Sequence, residues 1–284
     1  MARSVFYYHR KRLIIEDKYK CEKEEIKRIY HLHKGRYGYR RITAEMRNLG
    51  YKINHKTVQK LMGILDLKCK IRKVRYRSYK GEIGRIAPNL LERDFKVSSP
   101  NQKWATDVTE FKVPGKKKKL YLSAIIDLYD RYPVSYAVSA RNDNKLVFKT
   151  FDKAIALNPC AKPIFHSDRG FQYTSKMFKK KLVKQEMRQS MSRVGHCIDN
   201  GPTEGFWGII KAEMYQMYEI TDESSLRFAI KDYIRFYSEE RPQDRYCCKT
   251  PLEVRQEALK SDIPVEYPIP ENKRIKKYKE KWCA

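Results

Sequence analysis

Three acidic residues stand where acids are hard to explain as surface charge: Asp107 inside the apolar run WATDVTEF, Asp168 in IFHSDRG, and Glu204 in DNGPTEGFWGIIKAEM. Sixty residues separate the first two and 35 the second pair. Any one of the chain's 34 acids taken alone reads most simply as a cap, an ion pair or a solvated charge. Three converging carboxylates without Cys or His suit hard, oxygen-seeking ions, magnesium or manganese. Two such ions roughly 4 Å apart activate an attacking hydroxyl and stabilise a leaving oxygen, which is phosphodiester chemistry. His166 either orients a ligand or packs, and packing is the simpler reading. Asp127, in AIIDLYDR, is a rival acid, with a pairing to Arg131 the plainer expectation.

To bring those acids together the chain needs a layered sheet. Short β-like runs occupy Trp104–Val113, Leu120–Leu128 and Pro133–Ala140, divided by turn residues, and predict a three-strand meander. A helical period over 144–157 and a short apolar strand at Lys162–His166 follow, so the fold class is α/β. Asp107 then lies within the first strand and Asp168 at the carboxyl end of the fourth, where open α/β sheets place ligand chemistry. They meet if strands one and four are neighbours. Further helices are predicted at Lys176–Glu186, Thr203–Tyr218 and Ser224–Tyr237. Glu204 opens the second of these, with Asp199 or Asn200 as cap and Pro202 in the first turn. Glu204, Gly208, Lys211 and Tyr215 share one face of it, and Phe206, Ile209, Ile210 and Met217 point inward. Lys211 suits a phosphate, and Gly208 lets DNA approach the backbone.

The first third is different in texture. Residues 1–96 hold 27 Lys/Arg against 10 Asp/Glu, in a chain whose net charge of +28 marks a polyanionic partner, nucleic acid before others. Helical spacing runs from Glu24 to His33, then through Ile42, Met46 and Leu49 to Gly50, then from an Asn54 cap with Val58, Leu61, Met62 and Leu65 inward. His55, Lys56, Gln59 and Lys60 project from the opposite face, as a helix presented to a DNA groove requires. The run 68–80 has seven cations and no acid, so Arg72, Lys73 and Arg75 are expected along phosphates. The expected organisation is a basic helical region at 1–81, a linker at 82–96, a catalytic core at 97–259 and a basic tail at 260–284. Seven cysteines without a CxxC pair suggest neither a disulfide framework nor a zinc site. No secretory signal or spanning segment is legible, and the reading is a cytoplasmic, nucleoid-associated protein.

At these residues the chain resembles the second-reading-frame (OrfB) transposases of the insertion-sequence-three family, relatives of retroviral integrases. WATDVTEF resembles their first catalytic strand and HSDRGFQYTS their second acid. SMSRVGHCIDNGPTEGFWGIIKAEM resembles their third acid, with Lys211 and Glu213 downstream. FYSEERPQ and KTPLEV look like closing motifs, and RYGYRRITAEMRNLGYKINHKTVQKLMGILDLK looks like a helix-turn-helix-like segment. The resemblance implies a ribonuclease-H-like integrase catalytic core after a small all-α domain. It implies metal-dependent release of a 3′-hydroxyl at the element's end, followed by strand transfer. It gives metal-holding roles to Asp107, Asp168 and Glu204, and DNA-positioning roles to Lys211, Ser192 and Arg193. It also implies double-stranded DNA partners (terminal inverted repeats and target), a first-frame (OrfA-type) partner protein and a homo-multimer on DNA. A ribonuclease-H-like nuclease that only hydrolyses, or an inactive DNA-binding relic, are the alternatives. Ser238 where Asn is usual, and Cys247-Cys248 where Gly or apolar residues are usual, depart from the pattern without removing a carboxylate.

Overall fold

A computed structural model describes Arg3, Phe6 and Tyr7 and residues 17–70, 87–193 and 197–269. The expected phosphate contacts Arg72, Lys73 and Arg75 lie outside the described residues, as do 270–284. The chain divides into two compact units, Met1–Lys70 and Ile71–Ala284.

In the first unit three helices, α1 (Lys20–Leu32), α2 (Tyr39–Asn48) and α3 (His55–Ile64), enclose Ile26, Ile29, Ile42, Met46, Val58, Leu61 and Met62. The spacing of these apolar residues is the reason the helices form, since each carries one stripe to bury. Asn54 caps α3 as expected, its side chain accepting the Lys56 N–H at 2.9 Å. Gly50 turns the chain after α2 with φ +90°, a conformation that favours glycine. α1 starts four residues earlier than Glu24, where the Asp17 side chain organises the preceding turn by accepting the Tyr19 N–H.

The second unit is built on a five-stranded sheet of β1 (Lys103–Lys112), β2 (Lys119–Asp127), β3 (Pro133–Ser139), β4 (Ile164–Ser167) and β5 (Arg188–Met191), in the order β3-β2-β1-β4-β5. β1 to β3 form the antiparallel meander that the sequence predicts; β4 and β5 join in parallel. α4 (Asn144–Leu157) and α5 (Lys176–Lys184) cover the sheet over a core that includes Trp104, Val147, Phe151, Phe165 and Phe178. α6 (Gly201–Met217), α7 (Glu223–Glu239) and α8 (Pro251–Lys260) complete the unit. β5 and α8 are absent from the sequence reading. Buried ion pairs help to fasten this part: Glu213 of α6 with Arg241 after α7, and Arg255 of α8 with Asp127 and Asp130.

The described part of the expected linker, 87–96, packs on this unit instead of running free. Leu91 and Phe95, four residues apart, bury against Ala105 and Leu128, and the Leu90 N–H donates to Ser190 Oγ at 2.9 Å. The start of the expected tail is also packed, with the Tyr129 hydroxyl donating to the Val265 carbonyl and Tyr267 edge-on to Tyr246. Cys247 and Cys248 sit at φ 53° and 71°, left-handed positions that explain why glycine suits this stretch. Ser238 folds its hydroxyl back onto the Ile234 carbonyl within α7. Five cysteines described as free include both of this pair.

Candidate active site

β1 and β4 are neighbours, paired in parallel from Lys103↔Ile164 to Ala105↔His166. Carried two residues further, this register sets Asp168 level with Asp107. Asp107 is held at both oxygens: Oδ1 accepts its neighbour's N–H from Val108 at 2.7 Å, and Oδ2 accepts the Trp207 indole N–H at 3.0 Å. Asp168 Oδ1 accepts the Gly170 N–H at 2.9 Å. Glycine leaves room there, since a Cβ on residue 170 would lie 3.0 Å from that oxygen and 2.9 Å from Gln172 Oε1 and would displace one or both side chains. Tyr173, three residues beyond Gly170, is fully buried with its hydroxyl 3.2 Å from Oγ1 of Thr106, the neighbour of Asp107.

α6 is fastened along β1 where β4 no longer pairs with it. Asn200 Nδ2 donates to the Thr106 carbonyl at 3.2 Å, Trp207 donates to Asp107, and the Tyr215 hydroxyl bonds both the N–H and the carbonyl of Lys112. Asn200 is the residue preceding α6, but its side chain does not cap the helix as expected; it reaches the strand instead. Asp199 is no cap either. Fully buried, it gathers Arg93 at 2.7 Å, Arg193 at 2.9 Å and the Asn89 side chain at 3.2 Å; burial raises its carboxyl, but the two arginines outweigh that and hold it at about 2. The turn leading into Glu204 is thus tied to the segment at 89–93.

The electrostatics follow from that placement. Burial first, then the charge of Asp168 and to a lesser degree that of Glu204, pushes the Asp107 carboxyl up to about 8. Burial raises Asp168, and desolvation raises Glu204 to about 7. Burial is the main cause at each acid, and at Asp107 the charges of Asp168 and Glu204 add to it, so the site disfavours further negative charge. Lys211 answers part of it: half-buried, it lies 5.5 Å from the Phe111 ring centroid, and burial lowers its pKa while Asp107 and Glu110 favour its charge. Among the described residues, no group of three Asp, Glu, His or Cys side chains is drawn tightly enough to hold an ion as it stands. The donor set is nonetheless all carboxylate, the chemistry that magnesium or manganese takes.

Other expected residues fall elsewhere. Ser192 is buried with its hydroxyl 3.1 Å from His166 Nε2, and Arg193, its side chain 37% exposed, is engaged by Asp199 through two nitrogens. His166 packs, its Nδ1 2.8 Å from Ser190 Oγ, and burial lowers it to about 4. Asp127 pairs with Arg255 at 3.2 Å, not with Arg131, and lies fully buried at the end of β2. In the first unit, Lys56, Gln59 and Lys60 are exposed on α3, with Val58, Leu61 and Met62 buried on its other side. The sequence reading missed Trp207, Tyr173 and Asp199. Only Trp207 carried a signal, since an indole at helical spacing inside needs an acceptor for its N–H.

The family described as Integrase core domain matches residues 97–197, and a second family of the same description matches 204–267. An HTH-like domain family matches 16–75. With the sheet order above, the second unit is an integrase-type, ribonuclease-H-like α/β core and the first a helical HTH-like region. InsK for insertion sequence element IS150 of Escherichia coli strain K12 is 46% identical over 258 residues, 90% of each chain. The transposase for insertion sequence element IS904 of Lactococcus lactis is 35% identical over 75% of this chain and 85% of its own. Among solved structures, the HTLV-2 integrase catalytic core domain in complex with magnesium is 23% identical over 54% of this chain and 94% of its own, with a TM-score of 0.43.

Proposed function

The chain belongs to the insertion-sequence-three family of transposases, and we propose that it cuts DNA at the element's ends and joins the freed 3′-hydroxyl to a target phosphodiester. The observation that supports this most directly is the parallel β1–β4 register that carries Asp168 level with Asp107, with the helix of Glu204 and Lys211 hydrogen-bonded to Asp107 through Trp207. On this reading Asp107, Asp168 and Glu204 hold two magnesium or manganese ions. Bound there, such ions supply Lewis-acid stabilisation of the attacking and leaving oxygens. The chain's own residues do the rest. β1 and β4 fix the two aspartates level with one another, and α6 brings Glu204 alongside from the strand edge. Lys211, its ammonium anchored over Phe111, takes a phosphate oxygen near the reacting bond. Lys56, Gln59 and Lys60 of α3 grip the terminal repeats, as do Arg72, Lys73 and Arg75. Target DNA, a first-frame partner protein and further copies of the chain complete the assembly.

A joining assay tests this: purified chain with Mg2+ or Mn2+ and labelled duplexes bearing the terminal repeats, compared with Asp107→Ala, Asp168→Ala and Glu204→Ala. Metal-dependent joined products lost in each variant, with DNA binding intact, are expected. Nicking without joining, with the first-frame protein supplied, replaces this reading with a hydrolytic nuclease. DNA bound but never cut means an inactive relic.

A further inference from the structure

We propose that Trp207 is a positioning residue for Asp107, its indole N–H setting the carboxylate in the orientation that a divalent cation takes. The inference rests on the reading of Asp107 as a metal-holding acid. Two donors at fixed places meet this carboxylate: the Val108 N–H at Oδ1, part of β1 itself, and the Trp207 Nε1–H at Oδ2, from α6. Each oxygen keeps a further lone pair, so the contacts orient the group without exhausting it. The indole cannot swing away, because it is 6% exposed and its centroid lies 5.0 Å from that of Phe206. Trp207 also stands three residues after Glu204 on the same helix. A single hydrogen bond therefore links the helix that carries the third acid to the side chain of the first, and any shift of α6 along β1 would turn Asp107 as well as move Glu204. Donors behind a metal-ligating carboxylate fix its orientation, and losing one typically costs about 10–100-fold in metal affinity or activity.

Trp207→Phe keeps an aromatic ring in the helix and removes the donor. In the full chain, Mn2+ binding followed by electron paramagnetic resonance of the free ion should weaken about 10–100-fold, while the thermal unfolding transition stays close to that of the parent. The metal concentration for half-maximal joining should rise in parallel, with activity recovering towards the parent at saturating metal, a split that simple misfolding does not produce. A folded Trp207→Phe chain with unchanged Mn2+ affinity overturns the proposal. Asp107→Ala and Asp168→Ala run alongside. If they too leave Mn2+ binding unchanged, the metal reading of the site has failed, and not only the role of Trp207. Should Trp207→Phe not fold, the parent chain labelled with 15N-indole decides. It has three tryptophans, and the Trp207 N–H resonance should move on adding Mg2+ and on Asp107→Asn; a spectrum in which no indole resonance responds to either overturns the proposal equally.

Discussion

His166 shows what one side chain in a strand can do for a site it does not enter. It lies two residues before Asp168, fully buried, with Ser190 and Ser192 of the neighbouring strand and loop on its two nitrogens. In the neutral ring one nitrogen donates and the other accepts, and either serine hydroxyl can rotate to suit, so the neutral ring is satisfied at no cost, whereas a charged ring would be buried away from water. Burial accordingly lowers its pKa to about 4, against about 6.5 in an unfolded chain. Between those values the unfolded chain binds a proton that the folded chain refuses. Stability from this group is thus complete above about pH 6.5 and falls as pH drops towards 4, with a slope of up to about 1.4 kcal/mol per pH unit. His166→Gln should flatten that part of the pH dependence, measured by urea unfolding at a series of pH values, while lowering stability at pH 7. An unchanged slope would mean that another group takes up the proton.

At the scale of elements, α6 owes its place to contacts at both of its ends and its middle, and Glu213 is the deepest of them. Its carboxylate accepts from Arg241 through Nε at 3.2 Å and Nη2 at 2.9 Å and from the Tyr233 hydroxyl at 2.8 Å, with Glu213 and Arg241 side chains 4% and 5% exposed. Removing one partner of a buried pair leaves an uncompensated charge, a loss of about 3–5 kcal/mol, whereas replacing both with apolar residues of similar volume is often neutral. Arg241→Met should therefore destabilise by that amount in denaturant unfolding, and Glu213→Leu with Arg241→Met should recover much of it. Equal loss in single and double variants would show that packing, not the charge, matters. These pairs also explain what was legible. The meander, α4 and β4 could be read because their apolar spacing is local, and the three acids because their strand and helix contexts are local too. β5 could not, being four residues, Arg188 to Met191, half of them strongly polar. α8 is announced by Thr250 and Glu253, whose side chains form a capping box, with Pro251 in the first turn, but KTPLEV is too short to show a helical period. The roles of Asp199 and Asp127 were out of reach, since Asp199 meets Arg93 across 106 residues and Asp127 meets Arg255 across 128. No local spacing rule speaks to such distances, and the nearer cation, Arg131, was the wrong choice for Asp127.

For the whole molecule, the charge distribution separates the two tasks that transposition needs. Among the described residues, the second unit buries Asp127, Asp130, Asp199 and Glu213 in ion pairs with arginines, while the chain as a whole carries +28. Binding to a polyanion is then dominated by released counterions, and each neutralised phosphate steepens the fall of affinity with salt. On α3, Lys56 and Lys60 are exposed one turn apart with Gln59 between them, and Asn54 begins the helix firmly enough to hold them in register. The two lysines differ from Gln59 in what they can report. A lysine on a phosphate contributes equally to every sequence, whereas an amide can read adenine in the major groove. Lys56→Ala and Lys60→Ala should each weaken binding to any duplex and reduce the slope of log affinity against log salt by about 1. Gln59→Ala should leave the slope intact and lower the preference for terminal repeats over scrambled duplex by about 1–3 kcal/mol. Fluorescence anisotropy over a range of salt concentrations, with both duplexes, separates the outcomes. If the lysine variants keep the parent slope, α3 does not lie against the DNA backbone, and the gripping surface of the first unit must be sought on α1 or α2.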